Sequence, residues 1–318
     1  MTCWKDGMKF CPVPCGSVIE HMRKTIIYLL LLFCVFLSGC GTSSAETNET
    51  SGTPETVAVL FSSLAEIWLE AGGEIDITVG ETIERGFAPA GTALVDEGAG
   101  KTVNLELLIS MEPDLVICSA DIPAQAEAAA ILEEAGISIL LCRVESFSDY
   151  LTTLNAMTAV TGYTEAYDAA LAKKAEIGSI LVQTSINEPL EILFIRAGSS
   201  ASSTKAKLAE DHFACAMLEE MGCVNIANAA PVLLDGLSME SILLADPDYI
   251  FFSLMGSEES ARAYVESLLS GETWGQLTAV QEGKISILPK ELFHYKPCGR
   301  WPEAYRYLAD ILTGEITS

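Results

Sequence analysis

The stretch Asn104-Leu-Glu-Leu-Leu-Ile-Ser-Met-Glu-Pro-Asp-Leu-Val-Ile-Cys-Ser119 recurs without gaps as Ser238-Met-Glu-Ser-Ile-Leu-Leu-Ala-Asp-Pro-Asp-Tyr-Ile-Phe-Phe-Ser253. Each copy opens on an N-cap residue and carries Glu at its third position. It continues as an apolar helical run, passes through Pro-Asp and ends in a short apolar run of strand character. A repeat of such long period means that one supersecondary unit was used twice, so two related α/β lobes are expected.

The remainder alternates in the same way. Val57–Phe61, Ile75–Val79, Leu115–Cys118 and Ser138–Leu141 read as buried strands, with helical spacing in Leu64–Glu70, Gln125–Ala135 and Ser148–Val160. After Pro189 the alternation restarts, with strands at Glu191–Ile195, Tyr249–Phe252 and Lys284–Leu288 and helices at Glu210–Met221, Glu258–Ser270 and Pro302–Thr313. Between the halves, Tyr163 to about Ser185 is one uninterrupted helical pattern, roughly 35 Å long at the α-helical rise. The expected fold class is therefore α/β: two Rossmann-like lobes with mostly parallel sheets, joined by one long helix. The expected divisions are 56–162, 163–187 and 188–318 for the N-terminal lobe, linking helix and C-terminal lobe.

The N-terminus has a different character. Arg23-Lys24 precede a short apolar run, Thr25 to Leu37, that ends in Leu-Ser-Gly-Cys40. That order reads as a secretory signal, and the run is shorter than the roughly 20 apolar residues of a membrane-spanning helix. The tetrapeptide resembles a bacterial lipobox, which implies acylation of Cys40; an ordinary signal peptide with a cysteine at its cleavage point is the alternative. Gly41 to Glu55 is almost all small and polar and reads as a tether. The expected divisions here are 1–39 for an upstream extension plus signal and 40–55 for the lipidated cysteine and tether, with Met22 as the natural start.

Composition narrows the possible partners. The 18 basic residues are outweighed by 44 acidic ones, a net charge of −26, which argues against nucleic acid and against electrostatic adsorption to anionic lipid. Half of the 10 cysteines precede the tether. The others, Cys118, Cys142, Cys215, Cys223 and Cys298, have no metal-ligand spacing, so neither a zinc site nor a disulfide framework is expected.

A lipobox, two α/β lobes, one linking helix and a helix-Pro-Asp-strand unit in each lobe together resemble the substrate-binding proteins of ABC importers for iron–siderophore complexes, haem and vitamin B12. The resemblance covers nearly everything after Thr56. It implies a binding protein and not an enzyme, with no cofactor of its own. The ligand would be a ferric siderophore, haem or a corrinoid, held between lobes that rock only slightly. The partners would be an ABC permease with its ATPase, and the site of action extracytoplasmic, at the membrane through the lipid. It also implies that Glu106 and Glu240, one per lobe at matched places, meet arginines of the permease. Read from the residues alone, either glutamate also suits a helix first turn, where its charge favours the dipole.

Ligand contacts are expected from loops at the carboxyl ends of strands. The candidates there are Phe61, Arg85, Arg143, Arg196, Lys205, His294, Tyr295 and Arg300. Arg196 and Arg143 follow strands and suit a carboxylate or catecholate, or else a surface ion pair. His294 or Tyr295 suits haem iron, or else loop packing. No other metal site is expected. Gly98-Ala-Gly-Lys-Thr102 looks like the end of a phosphate-binding loop, but the first glycine that the loop needs is Val95. An extracytoplasmic enzyme, sensor or adhesin on the same scaffold is the competing reading, weakened by the lack of any nucleophile–base–acid set at the strand ends.

Overall fold

The computed structural model describes residues 53–96, 102–184, 186 and 188–315. Cys40, the signal and most of the tether, and nearly all of the glycine-rich segment ending at Thr102, lie outside them. In the N-terminal lobe, strands β1 (Val57–Val59), β2 (Ile77–Thr78), β3 (Ala93–Leu94), β4 (Leu115–Ser119) and β5 (Ser138–Cys142) form one sheet. Its order is β3-β2-β1-β4-β5 and every pairing is parallel. Every residue of β1 and β4 is buried, as a parallel sheet covered on both faces requires.

The C-terminal lobe holds β6 (Leu190–Ala197), β7 (Lys205–Ala206), β8 (Cys223–Asn225), β9 (Tyr249–Leu254) and β10 (Ile285–Ile287). The order is β10-β9-β6-β7, and β8 joins the first residues of β6. Only the β6–β7 pairing is antiparallel. Between the lobes runs the helix Thr164–Gln183. Among the described residues no helix is long and apolar enough to cross a membrane.

The sequence repeat has a structural cause. In each copy the N-cap side chain accepts from a first-turn amide, Asn104 from Leu107 N at 3.1 Å and Ser238 from Ser241 N at 3.4 Å. Each helix stops at an acidic residue in the left-handed region, Glu112 at φ 50° and Asp246 at φ 42°. Proline follows, and its ring prevents the chain from resuming the helix. The next aspartate pins the neighbouring strand. Asp114 Oδ2 accepts from the Glu55 and Thr56 amides at 2.9 Å, and Asp248 Oδ2 accepts from Glu191 N at 2.8 Å. Thus one Pro-Asp locks β1 beside β4, and the other locks β6 beside β9.

The lobes share a core. One apolar cluster runs from Val59, Ile117 and Phe147 through Ala170 and Ile177 of the linking helix to Phe194, Phe251 and Trp301. Trp301 is fully buried, with its ring edge-on to Phe147 at 6.4 Å and to Phe213 at 5.7 Å. The five described cysteines are free and buried. Burial pushes the Cys118 thiol up to about 11 and the Cys142 thiol to about 12, so both stay protonated and unreactive.

Candidate ligand site between the lobes

Strands β1 and β4 are neighbours whose chains continue to opposite sides of the sheet, which opens a crevice beyond their carboxyl ends. A buried glutamine fixes that crevice. Gln125 Oε1 accepts from Ser119 N at 2.8 Å, and its Nε2 donates to Leu60 O at 2.7 Å. Both strand ends are thereby held, and Phe61 and Ser119 are presented together. Across the crevice, Ser253 at the matched place of the other repeat donates to Phe293 O at 2.9 Å and anchors the segment that carries His294, Tyr295 and Lys296.

Between these ends lies a cavity of about 380 Å³. The N-terminal lobe lines it with Phe61, Glu81, Ser119, Asp121, Ile122, Pro123 and Glu145. The C-terminal lobe contributes Arg196, Asp211, His212, Phe213, His294, Tyr295 and Lys296. The charge is divided by lobe: the first wall carries only carboxylates, and both side-chain cations, Arg196 and Lys296, come from the second.

Lys296 bridges the walls. Its ammonium donates to Glu145 Oε1 and stands 3.9 Å from Asp121 Oδ2. Burial raises the Glu145 carboxyl above its ordinary range, and the Lys296 charge opposes that shift. The second oxygen, Glu145 Oε2, is buried without a hydrogen-bond partner among the described residues. Arg196 Nε is buried without one as well, and burial lowers this guanidinium from its ordinary value while the Glu145 charge opposes the shift. The group still stays charged at any physiological pH. His212 caps the helix Phe213–Glu220, its Nδ1 accepting from Ala214 N at 3.2 Å. That bond and a proton on Nε2 define a neutral ring. Complete burial first, then the nearby cations Arg196 and Lys296, hold its pKa well below the usual histidine range.

Of the sequence candidates, Phe61, Arg196, His294 and Tyr295 line the cavity. The rings of His294 and Tyr295 meet edge-on at 4.9 Å. Arg143 is exposed and outside the lining, 3.5 Å from Asp121. Arg85, Lys205 and Arg300 are not in the lining. Arg85 is spent on the seam between lobes: it pairs with Glu66 at 3.0 Å, donates to Ser62 Oγ at 3.0 Å and lies 3.9 Å over the Tyr295 ring. Lys205 is exposed on β7, and Arg300 is half-exposed and paired with Glu303. Sequence reasoning passed over Glu81, Asp121, Glu145, Asp211, His212 and Lys296. Glu81, Asp121, Glu145 and Lys296 lie in the strand-end loops 80–87, 119–122, 143–147 and 290–300, where ligand contacts were expected, and His212 stood in N-cap position before an apolar helical run. Among the described residues no group of three or more His, Cys, Asp or Glu is placed to hold a metal ion.

Two lobes with a polar cavity at the facing strand ends have the form of a solute-binding protein. The periplasmic binding protein family model matches residues 57–292, and the chain belongs to that family. Membership makes it a binding protein rather than an enzyme, of a family that works outside the cytoplasm. Comparison with curated proteins gives no match. Among solved structures, an ABC transporter substrate-binding protein from Listeria monocytogenes is similar at 15% identity, with TM-score 0.67, over 83% of this chain and 100% of that one. The periplasmic vitamin B12 binding protein of Vibrio cholerae is similar at 19% identity, with TM-score 0.66, over 82% of this chain and 97% of that one. The periplasmic haem-binding protein of Roseiflexus sp. is similar at 18% identity, with TM-score 0.65, over 82% and 98%.

Proposed function

We propose that this chain is the lipid-anchored, extracytoplasmic substrate-binding protein of an ABC importer. It captures a ferric siderophore, haem or a corrinoid between its lobes and hands it to the permease, which its ATPase drives. The observation that carries this reading is the cavity itself: its walls come from the strand ends of both lobes and include Arg196, with a buried donor that no group of the described residues meets. The kinds of compound named for the Vibrio and Roseiflexus proteins support the choice of ligand class.

Glu106 and Glu240 support delivery. Each is exposed in the first turn of its repeat helix, and neither lines the cavity. Replacing both by Lys should leave chelate affinity within about twofold and abolish uptake, because like charges facing each other across an interface cost several kcal/mol. Normal uptake by this double variant, or loss of binding in a folded one, contradicts the docking role. Cys40→Ala should shift the protein from the membrane fraction to the soluble fraction or leave an unprocessed precursor. Mass spectrometry finding an unmodified mature N-terminus elsewhere contradicts the anchor.

A further inference from the structure

On the cavity wall a buried donor and a buried acceptor have no partner among the described residues, and they belong to opposite lobes. Arg196 Nε lies on the C-terminal wall and Glu145 Oε2 on the N-terminal wall. A buried polar atom without a partner costs the desolvation of that atom, so such atoms are rare unless a ligand completes them. The surrounding charge gives each its preferred complement. Arg196 is a guanidinium whose fork matches a carboxylate. Glu145 shares its wall with Glu81 and Asp121; Lys296 reaches that group from across the cleft and Arg143 pairs with Asp121, so three carboxylates face two cations. The wall keeps an excess of negative charge and suits a cationic donor.

Resting on the reading above, we infer that the ligand is a compact two-ended chelate. Its carboxylate meets Arg196, and a protonated amine meets Glu145. A macrocycle with broad apolar faces would bury Arg196, Glu145, Asp121 and Glu81 against carbon, leaving charges without partners. Phe61, Phe213 and Tyr295 are the aromatic rings available to such faces, apart from the two histidines, and Tyr295 is only 9% exposed.

The test uses the purified full chain and calorimetric titration. The probes are the ferric complex of a citrate amide carrying a free aminoethyl group, its N-acetylated twin, haem and cyanocobalamin. The aminoethyl complex should bind at least tenfold tighter than its twin. Glu145→Gln should shrink that gap to within twofold, and Glu145→Asp, which keeps the charge, should preserve most of it. Arg196→Gln should weaken both ferric complexes at least tenfold, and Arg196→Lys should weaken them less. Variants are compared only where melting shows the same cooperative transition as the parent chain. Equal affinity for the two ferric twins overturns the inference. So does tighter binding of haem or cyanocobalamin that ignores both substitutions, while the capture reading then stands. Failure of all four probes to bind overturns both.

Discussion

At the scale of single residues, the cavity wall is held by groups that burial has pushed away from their ordinary ionisation. His212 is the clearest. Its ring is neutral in the folded protein, stacked on Phe213 at 4.9 Å and tilted against Phe194 at 4.6 Å, with Nδ1 engaged as a cap. Its folded pKa lies below the unfolded value, so the unfolded chain binds the extra proton as pH falls through the ordinary histidine range. Folding stability from this group is therefore full above that range and lost below it. That loss falls across the ordinary histidine range, between about pH 7.5 and 5.5. His212→Asn keeps a capping side chain without the titration. Its melting temperature should fall less between those pH values than that of the parent chain. Parallel falls would show that His212 is not buried neutral. Glu145 acts in the opposite sense: its raised carboxyl favours the protonated folded form, so its contribution falls as pH rises through the folded value.

At the scale of elements, the two helix-Pro-Asp-strand units have the same backbone and different local debts. Glu112 holds a left-handed conformation at φ 50° and its side chain makes no hydrogen bond among the described residues, whereas Asp246 at φ 42° also caps the helix Thr278–Gln281. Asp246 accepts from Thr278 N at 2.9 Å and Thr278 Oγ1 at 2.6 Å, and those bonds hold its carboxyl below the usual range. Glycine adopts the left-handed region without the strain of a Cβ. Glu112→Gly should therefore stabilise by up to about 1 kcal/mol. Asp246→Gly should destabilise by about 1 kcal/mol, because the lost cap outweighs the relief. Chemical denaturation of the two variants checks this, and equal effects would deny the difference between the units.

The repeat was legible because Pro-Asp after an apolar helix leaves a local mark. The linking helix was legible because its pattern is unbroken, and the structure places it at Thr164–Gln183. The edge strands β3 and β7 left no signal, since two residues each cannot establish a period. The short helices Gly80–Glu84 and Lys290–Phe293 left none either, since each spans little more than one helical turn. For the site, sequence could mark strand ends but could not say which cation would face inward. Arg85 and Arg196 look alike in a loop, yet Arg85 is bound up by Glu66, Ser62 and Tyr295, a partner set that spans both lobes. Such choices depend on contacts between residues far apart in the chain.

At the scale of the whole molecule, the shared core governs motion. The apolar cluster crosses from one lobe to the other through the linking helix and Trp301. The seam adds polar ties: Lys296 N donates to Ser63 Oγ at 3.2 Å, and Cys298 Sγ donates to Ser63 O at 3.4 Å. Thermal unfolding should therefore be one transition, and Trp301→Ala should lower its stability by about 3–5 kcal/mol without splitting it. Two separated transitions in the parent chain would contradict a common core. The central claim is that ligand is held by both lobes at the facing strand ends, and hydrogen exchange with and without the bound ferric aminoethyl citrate amide tests it most directly. Added protection should appear together around 60–63 and 119–123 in one lobe and around 196, 211–213 and 293–296 in the other. Protection confined to one lobe, or lying elsewhere while the chelate is bound, would contradict the account.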